Sequence, residues 1–118
     1  MDLRLDIYSK DKVNGKRVIE KTYTANTYDI FWGTVEDFLN ILELNNAKTM
    51  SNEELISIAF NLMSNAKDQV NELIMDIFDG ITEAEIRMAK LSNIVEVLVA
   101  CFKHAIASIN ILKNSKNA

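Results

Sequence analysis

The sequence has no proline, one cysteine, one histidine and three glycines in 118 residues. A single cysteine, Cys101, excludes an internal disulfide, so the chain reads as one kept in a reducing compartment. With His104, it leaves only two side chains that titrate near neutrality without large perturbation, which argues against an enzyme. Gly15, Gly33 and Gly80 are isolated, so no glycine run cradles a phosphate. Basic residues number 13 against 17 acidic, a formal charge of −4 that does not suit a general nucleic-acid binder. Asp2, Arg4 and Asp6 stand where a signal peptide would need an apolar run. The one stretch long enough to span a bilayer, Ile94–Leu112, contains Glu96, Lys103, His104 and Asn110 and reads as a buried helix of a soluble, cytoplasmic protein.

What remains is 48% apolar, and the length suits one domain that buries roughly 65% of its unfolded surface. Charge is segregated: residues 1–27 carry +2, residues 28–90 carry −8 and residues 91–118 carry +2. The acidic middle reads first as solvated helix faces and second as a surface for a basic partner. The expected fold is α+β, mainly α: a β-hairpin over 1–25, a body of four to five helices over 34–113, and a flexible tail over 114–118.

Leu3, Leu5 and Ile7 alternate with Asp2, Arg4 and Asp6, the period of a half-buried strand. Asn14-Gly15 supplies a turn, and Val18, Ile19, Thr22, Tyr23 and Thr24 have strand composition. A two-residue turn sets Ile7 opposite Thr22 and Leu5 opposite Thr24. A three-residue loop with a bulge sets Ile7 opposite Tyr23 and Asp11 opposite Ile19. The second register is preferred because it gathers Leu3, Leu5, Ile7, Ile19 and Tyr23 on one face.

From Thr34 the pattern is helical. Thr34 and Asp37 form a capping pair before Val35, Phe38, Leu39, Ile41 and Leu42, with Asn45-Asn46 closing the helix. Ser51 and Glu54 make a capping box with Met50 and Leu55 as its staple, and apolar spacing continues from Leu55 to Ile77 before Gly80. That is one helix of about 28 residues or two with a break near Ser64-Asn65, and length favours the break. Thr82 and Glu85 form a second box, stapled by Ile81 and Ile86, for a short helical turn to about Lys90. Ser92 is read as the cap of a last helix reaching Lys113.

Candidates for chemistry are few. Cys101 falls on the apolar stripe Ile94, Leu98, Cys101, Ala105 and reads as core, while His104 beside Lys103 reads as a surface residue. Asp76 and Asp79 lack the alternating oxygen ligands of a calcium loop, so no metal or cofactor is expected. The last helix has a second stripe, Val95, Val99, Phe102, Ile106 and Ile109, and a narrow polar line at Glu96, Lys103 and Asn110. A helix apolar over so much of its girth is covered on two sides, by its own neighbours or in part by another chain.

Two segments carry a resemblance. Tyr23 to Phe38 runs from a strand exit into a helix through Gly33-Thr34-Val35-Glu36-Asp37, and Ile77 to Ile86 leads through a short spacer to the apolar last helix. Together they resemble the tail assembly chaperones of long-tailed phages and prophages of low-GC Gram-positive bacteria. The resemblance spans most of the chain and includes no catalytic signature. Trp32 is bulkier than the family pattern before the glycine, and Cys101-Phe102-Lys103-His104 is not typical of it.

The resemblance implies a non-enzymatic protein of the host cytoplasm, lost from the finished virion. Such a protein coats the helical tape-measure protein and keeps it soluble while tail-tube protein polymerises around it, without engaging nucleic acid or membrane. It also implies, in many members, a longer frameshifted product; self-association is expected instead from the over-apolar last helix. No family residue role transfers position by position. The partner-binding expectation rests on Val95, Val99, Phe102, Ile106 and Ile109. A self-associating head–tail connector subunit is the competing reading.

Overall fold

The computed structural model describes residues 2–42 and 50–116, with side chains to residue 111. Strands β1 (Asp2–Tyr8) and β2 (Ile19–Asn26) form an antiparallel hairpin, followed by a 3-10 turn (Thr27–Asp29). Helices α1 (Trp32–Ile41), α2 (Asn52–Asn65), α3 (Lys67–Ile77), α4 (Glu83–Ile86) and α5 (Leu91–Lys116) complete the fold. It is α+β and mainly α, as expected. The Asn45-Asn46 helix end falls outside the described residues.

The hairpin register matches neither expectation. Asn14 and Gly15 both have positive φ, 53° and 80°, and Val13 and Lys16 exchange backbone hydrogen bonds of 2.7 and 3.1 Å across them. The turn therefore has two residues. Below it the arms are unequal. Residues 10–12 loop out against Arg17 alone, and Glu20 is an extra residue on β2, which leaves Leu5 opposite Tyr23 and Ile7 opposite Lys21. The Ser9 hydroxyl donates to the Asp11 carbonyl at 2.7 Å and accepts the Val18 amide at 3.1 Å, while Arg17 Nη1 donates to the Ser9 and Lys10 carbonyls.

Leu3, Leu5, Ile7 and Tyr23 are buried on one face, but Ile19 is not among them. The bulge at Glu20 pairs Ile19 with Tyr8 and so turns it outward, 46% exposed.

A hairpin cannot persist alone in water. This one is held at the outer edge of β1. The Tyr8 amide donates to the Met88 carbonyl at 2.9 Å, and Ile7 bridges Ala89. Farther along, Asn93 on α5 acts as a short piece of strand: its Nδ2 donates to the Arg4 carbonyl at 2.7 Å and its Oδ1 accepts the Asp6 amide at 3.0 Å. The pairing at Met88 and Ala89 explains why α4 stops at Ile86 rather than near Lys90.

Asn93→Leu leaves both β1 groups facing an apolar side chain. It is expected to cost about 1–3 kcal/mol, read as a lower urea midpoint at unchanged slope, with faster amide exchange at Asp6. Asn93→Asp, which keeps only the acceptor, should fall between.

Two helix starts differ from expectation. α1 begins at Trp32, and Thr34 is buried in its first turn rather than capping it. α5 begins at Leu91, where the Lys90 carbonyl accepts the Asn93 and Ile94 amides, so Ser92 is an exposed first-turn residue. Both capping boxes form, at Ser51–Glu54 and Thr82–Glu85. The long central pattern breaks at Ala66 (φ −137°, ψ 50°), one residue beyond Asn65. α5 continues to Lys116, past the expected end at Lys113.

The break lets α2 lie on α5 while α3 turns toward α1 and α4. Phe38, Phe78, Phe102, Leu5, Leu55, Ile74 and Leu98 are wholly enclosed. Phe38 of α1 meets Phe102 of α5 edge-on, centroids 5.4 Å apart at 90°, a favoured aromatic geometry.

One further tie was not legible in the capping signal. Glu85 Oε1 closes the box on the Thr82 amide at 3.0 Å and also accepts the Tyr23 hydroxyl at 2.7 Å, fastening β2 to α4. These hydrogen bonds, that from Tyr23 foremost, hold the Glu85 carboxyl below its ordinary 4.5. A lowered folded-state pKa contributes stability that is complete above the unfolded value and is lost as pH falls through the folded one. Tyr23→Phe should therefore flatten the acid limb of a melting-temperature profile recorded from about pH 6 to about pH 3.

Candidate partner-binding surface

The five residues expected to face a partner separate in the structure. Val95 and Phe102 are buried in the chain's own core, Phe102 completely, and Val99, Ile106 and Ile109 are half-buried against it. Coverage of α5 on two sides is thus supplied largely by β1, α1 and α2. Phe102 is corrected from a contact residue to a core residue, and Val95 with it. The polar line does reach solvent at Glu96, Lys103 and Asn110. By length and composition α5 meets the requirement for crossing a bilayer over Leu91–Ile111, and 39% of that window is buried within the chain.

Cys101 and His104, the two side chains whose ordinary pKa lies nearest neutrality, are on the same helix. Burial pushes the Cys101 thiol up to about 12, which leaves it protonated and unreactive at neutral pH. Burial also lowers the His104 pKa from its ordinary 6.5, favouring the neutral ring, which meets the Tyr28 ring edge-on at 5.8 Å. Among the described residues, no three His, Cys, Asp or Glu side chains come together as a metal site.

Tyr28 belongs to a surface built from the strand exit upward. The Asn26 side chain accepts the Tyr28 amide at 2.9 Å and sets the 3-10 turn, which buries Thr27 and sends Tyr28 and Asp29 outward. Ile30 turns the chain inward, and Phe31 then caps α1 with its carbonyl alone, accepting the Thr34 and Val35 amides at 3.0 and 3.1 Å. An N-cap favours Ser, Thr, Asp or Asn, whose side chains satisfy a free amide. Phenylalanine there, followed by tryptophan, supplies no such bond.

Tyr28, Phe31 and Trp32 are 82%, 74% and 52% exposed. Three aromatics within five residues are thus left in water, one of them, Phe31, at an N-cap where local helix chemistry prefers a small polar side chain. Phe31 also borders a groove of about 240 Å³ between the end of β2 and the end of α3, with Ile77 as an apolar wall. Asp29, Asp76 and Asp79 line it and no cation does.

Aromatic faces beside carboxylates suit a ligand that presents an apolar side chain next to a lysine or arginine. Asp76 lies in the last turn of α3 and Asp79 just beyond its end, and the fold brings Asp29 to the same groove from far away in sequence. A usable sequence signal was present in the consecutive Phe31-Trp32 at a helix start. Compared with protein-family models, curated proteins and solved structures, the chain matches none.

Proposed function

We propose that this chain is an assembly chaperone of the phage-tail type, which binds the tape-measure protein and holds it soluble while tail-tube protein assembles around it. The observation that carries the reading is the exposed trio Tyr28, Phe31 and Trp32 beside the acidic groove. An amphipathic client helix presents aliphatic side chains in a stripe, and the aromatics offer large, rigid contact area for it. Basic residues flanking that stripe meet Asp29, Asp76 and Asp79. The acidic middle of the chain keeps the loaded complex soluble.

The resemblance of the Tyr23–Phe38 and Ile77–Ile86 segments supports the same reading, now placed on the strand exit and the start of α1 instead of the α5 stripe. The protein acts by association rather than catalysis, in the host cytoplasm, with self-association along the client and without nucleic acid or membrane. Co-expression with the tape-measure protein of the same genome tests it. The client is expected in the soluble fraction and in complex with this chain. A client equally insoluble with and without the chain would overturn the proposal.

A further inference from the structure

A second surface has the opposite charge. Between the hairpin tip and the segment that follows α4 lies a cleft of about 630 Å³, bounded by Lys12, Lys16 and Arg17 on one side and Arg87 and Lys90 on the other, over Tyr8. Five cations and no carboxylate line it, in a chain of net charge −4. The ion pairs among the described residues, Arg4–Asp6 and Lys21–Glu85, involve none of the five. Crowded like charges repel one another unless a counter-charge arrives. The site is also held in shape, because Arg17 is bonded to the Ser9 and Lys10 carbonyls and Met88 is bonded to Tyr8.

Two observations decide the class of anion. The Lys90 ammonium lies 4.9 Å from the Tyr8 ring centroid, so the one aromatic in the cleft already has a cation on its face and offers poor stacking to a nucleobase. Around the hairpin tip, Val13 on the first arm and Val18 and Ile19 on the second are exposed, adjacent in sequence to Lys12 and Arg17. Phosphate groups make no use of aliphatic side chains, whereas a peptide carrying both carboxylates and aliphatics uses both features.

We propose that this cleft docks an acidic amphipathic segment of a partner protein, its carboxylates toward Lys12, Lys16, Arg87 and Lys90 and its aliphatic side toward Val13, Val18 and Ile19. The site is separate from the aromatic groove: Arg17 and Ala25 stand at opposite ends of the β2 arm, about 26 Å apart at strand rise. It does not rest on the chaperone reading.

The test is fluorescence anisotropy on the full chain with a labelled amphipathic helix of glutamate and leucine, a scrambled peptide of the same composition, and oligothymidylate. The amphipathic peptide is expected to bind about tenfold tighter than the scrambled one, with affinity falling as salt rises. Lys12→Glu with Arg87→Glu should weaken it by about tenfold or more, and Val18→Ser with Ile19→Ser by about threefold or more. Lys12→Glu with Lys16→Glu, both exposed tip residues, serves as the charge variant if Arg87→Glu disturbs folding. Equal binding of all three probes, or peptide binding unchanged by the valine–isoleucine pair, would reduce the cleft to a general polyanion site and overturn the proposal. Absence of peptide binding would overturn it as well.

Discussion

Phe102→Ala is expected to destabilise the chain by about 3–5 kcal/mol, a large part of the 5–15 kcal/mol available to a domain of this size. The ring is fully enclosed and packs edge-on against Phe38, so its loss opens a cavity between α1 and α5 that the neighbouring helices fill only partly. Urea unfolding measures the effect. Ile109→Ala, at a half-buried site farther along α5, should cost distinctly less. The contrast separates the two roles considered for this helix. A partner-contact residue would tolerate Phe102→Glu in the isolated chain, whereas a core residue would not. A soluble, cooperatively folded Phe102→Glu protein would refute the core assignment.

The second large effect runs the other way. Phe31→Ser is expected to stabilise the isolated protein, because serine at the N-cap satisfies an amide of α1 that phenylalanine leaves without a side-chain acceptor. The gain is about 0.5–2 kcal/mol, seen as a higher melting temperature. Combined with Trp32→Ser, the same change should weaken client binding by about 30-fold, the equivalent of removing about 2 kcal/mol at an interface hot spot. Stability and binding therefore move in opposite directions. A merely structural role for these aromatics predicts the reverse: loss of stability and unchanged recovery of client from co-expressing cells. Proteins that retain residues unfavourable to local structure commonly do so at working surfaces, the physical reason for assigning this one.

Much of the architecture was legible from local chemistry. The two capping boxes, the alternation in β1 and the break beside Asn65 all formed where short-range pattern placed them. In these cases the deciding interactions lie within a few residues. The positive-φ turn at Asn14-Gly15 belongs to the same group. What escaped was whatever depended on partners distant along the chain. The strand register was set by unequal arms and by the edge contacts from Met88 and Asn93, and a single extra residue at Glu20 moved Ile19 from core to solvent. Val95 and Phe102 were expected to face outward for a related reason. Periodicity shows that α5 is apolar on two stripes, but not which stripe its own neighbours cover.

The sequence by itself determined an α+β chain with a hairpin and capped helices, segregated charge, and a last helix too apolar to stand alone. Those follow from propensity, capping and period, which act over one or two turns. Only the tertiary structure decided that Phe102 is enclosed, that Phe31 and Trp32 are left in water, and that Asp29 meets Asp76 and Asp79 while Lys12, Lys16 and Arg17 meet Arg87 and Lys90. These juxtapositions join residues roughly 50 to 80 positions apart, and packing brings such residues together where local propensity cannot.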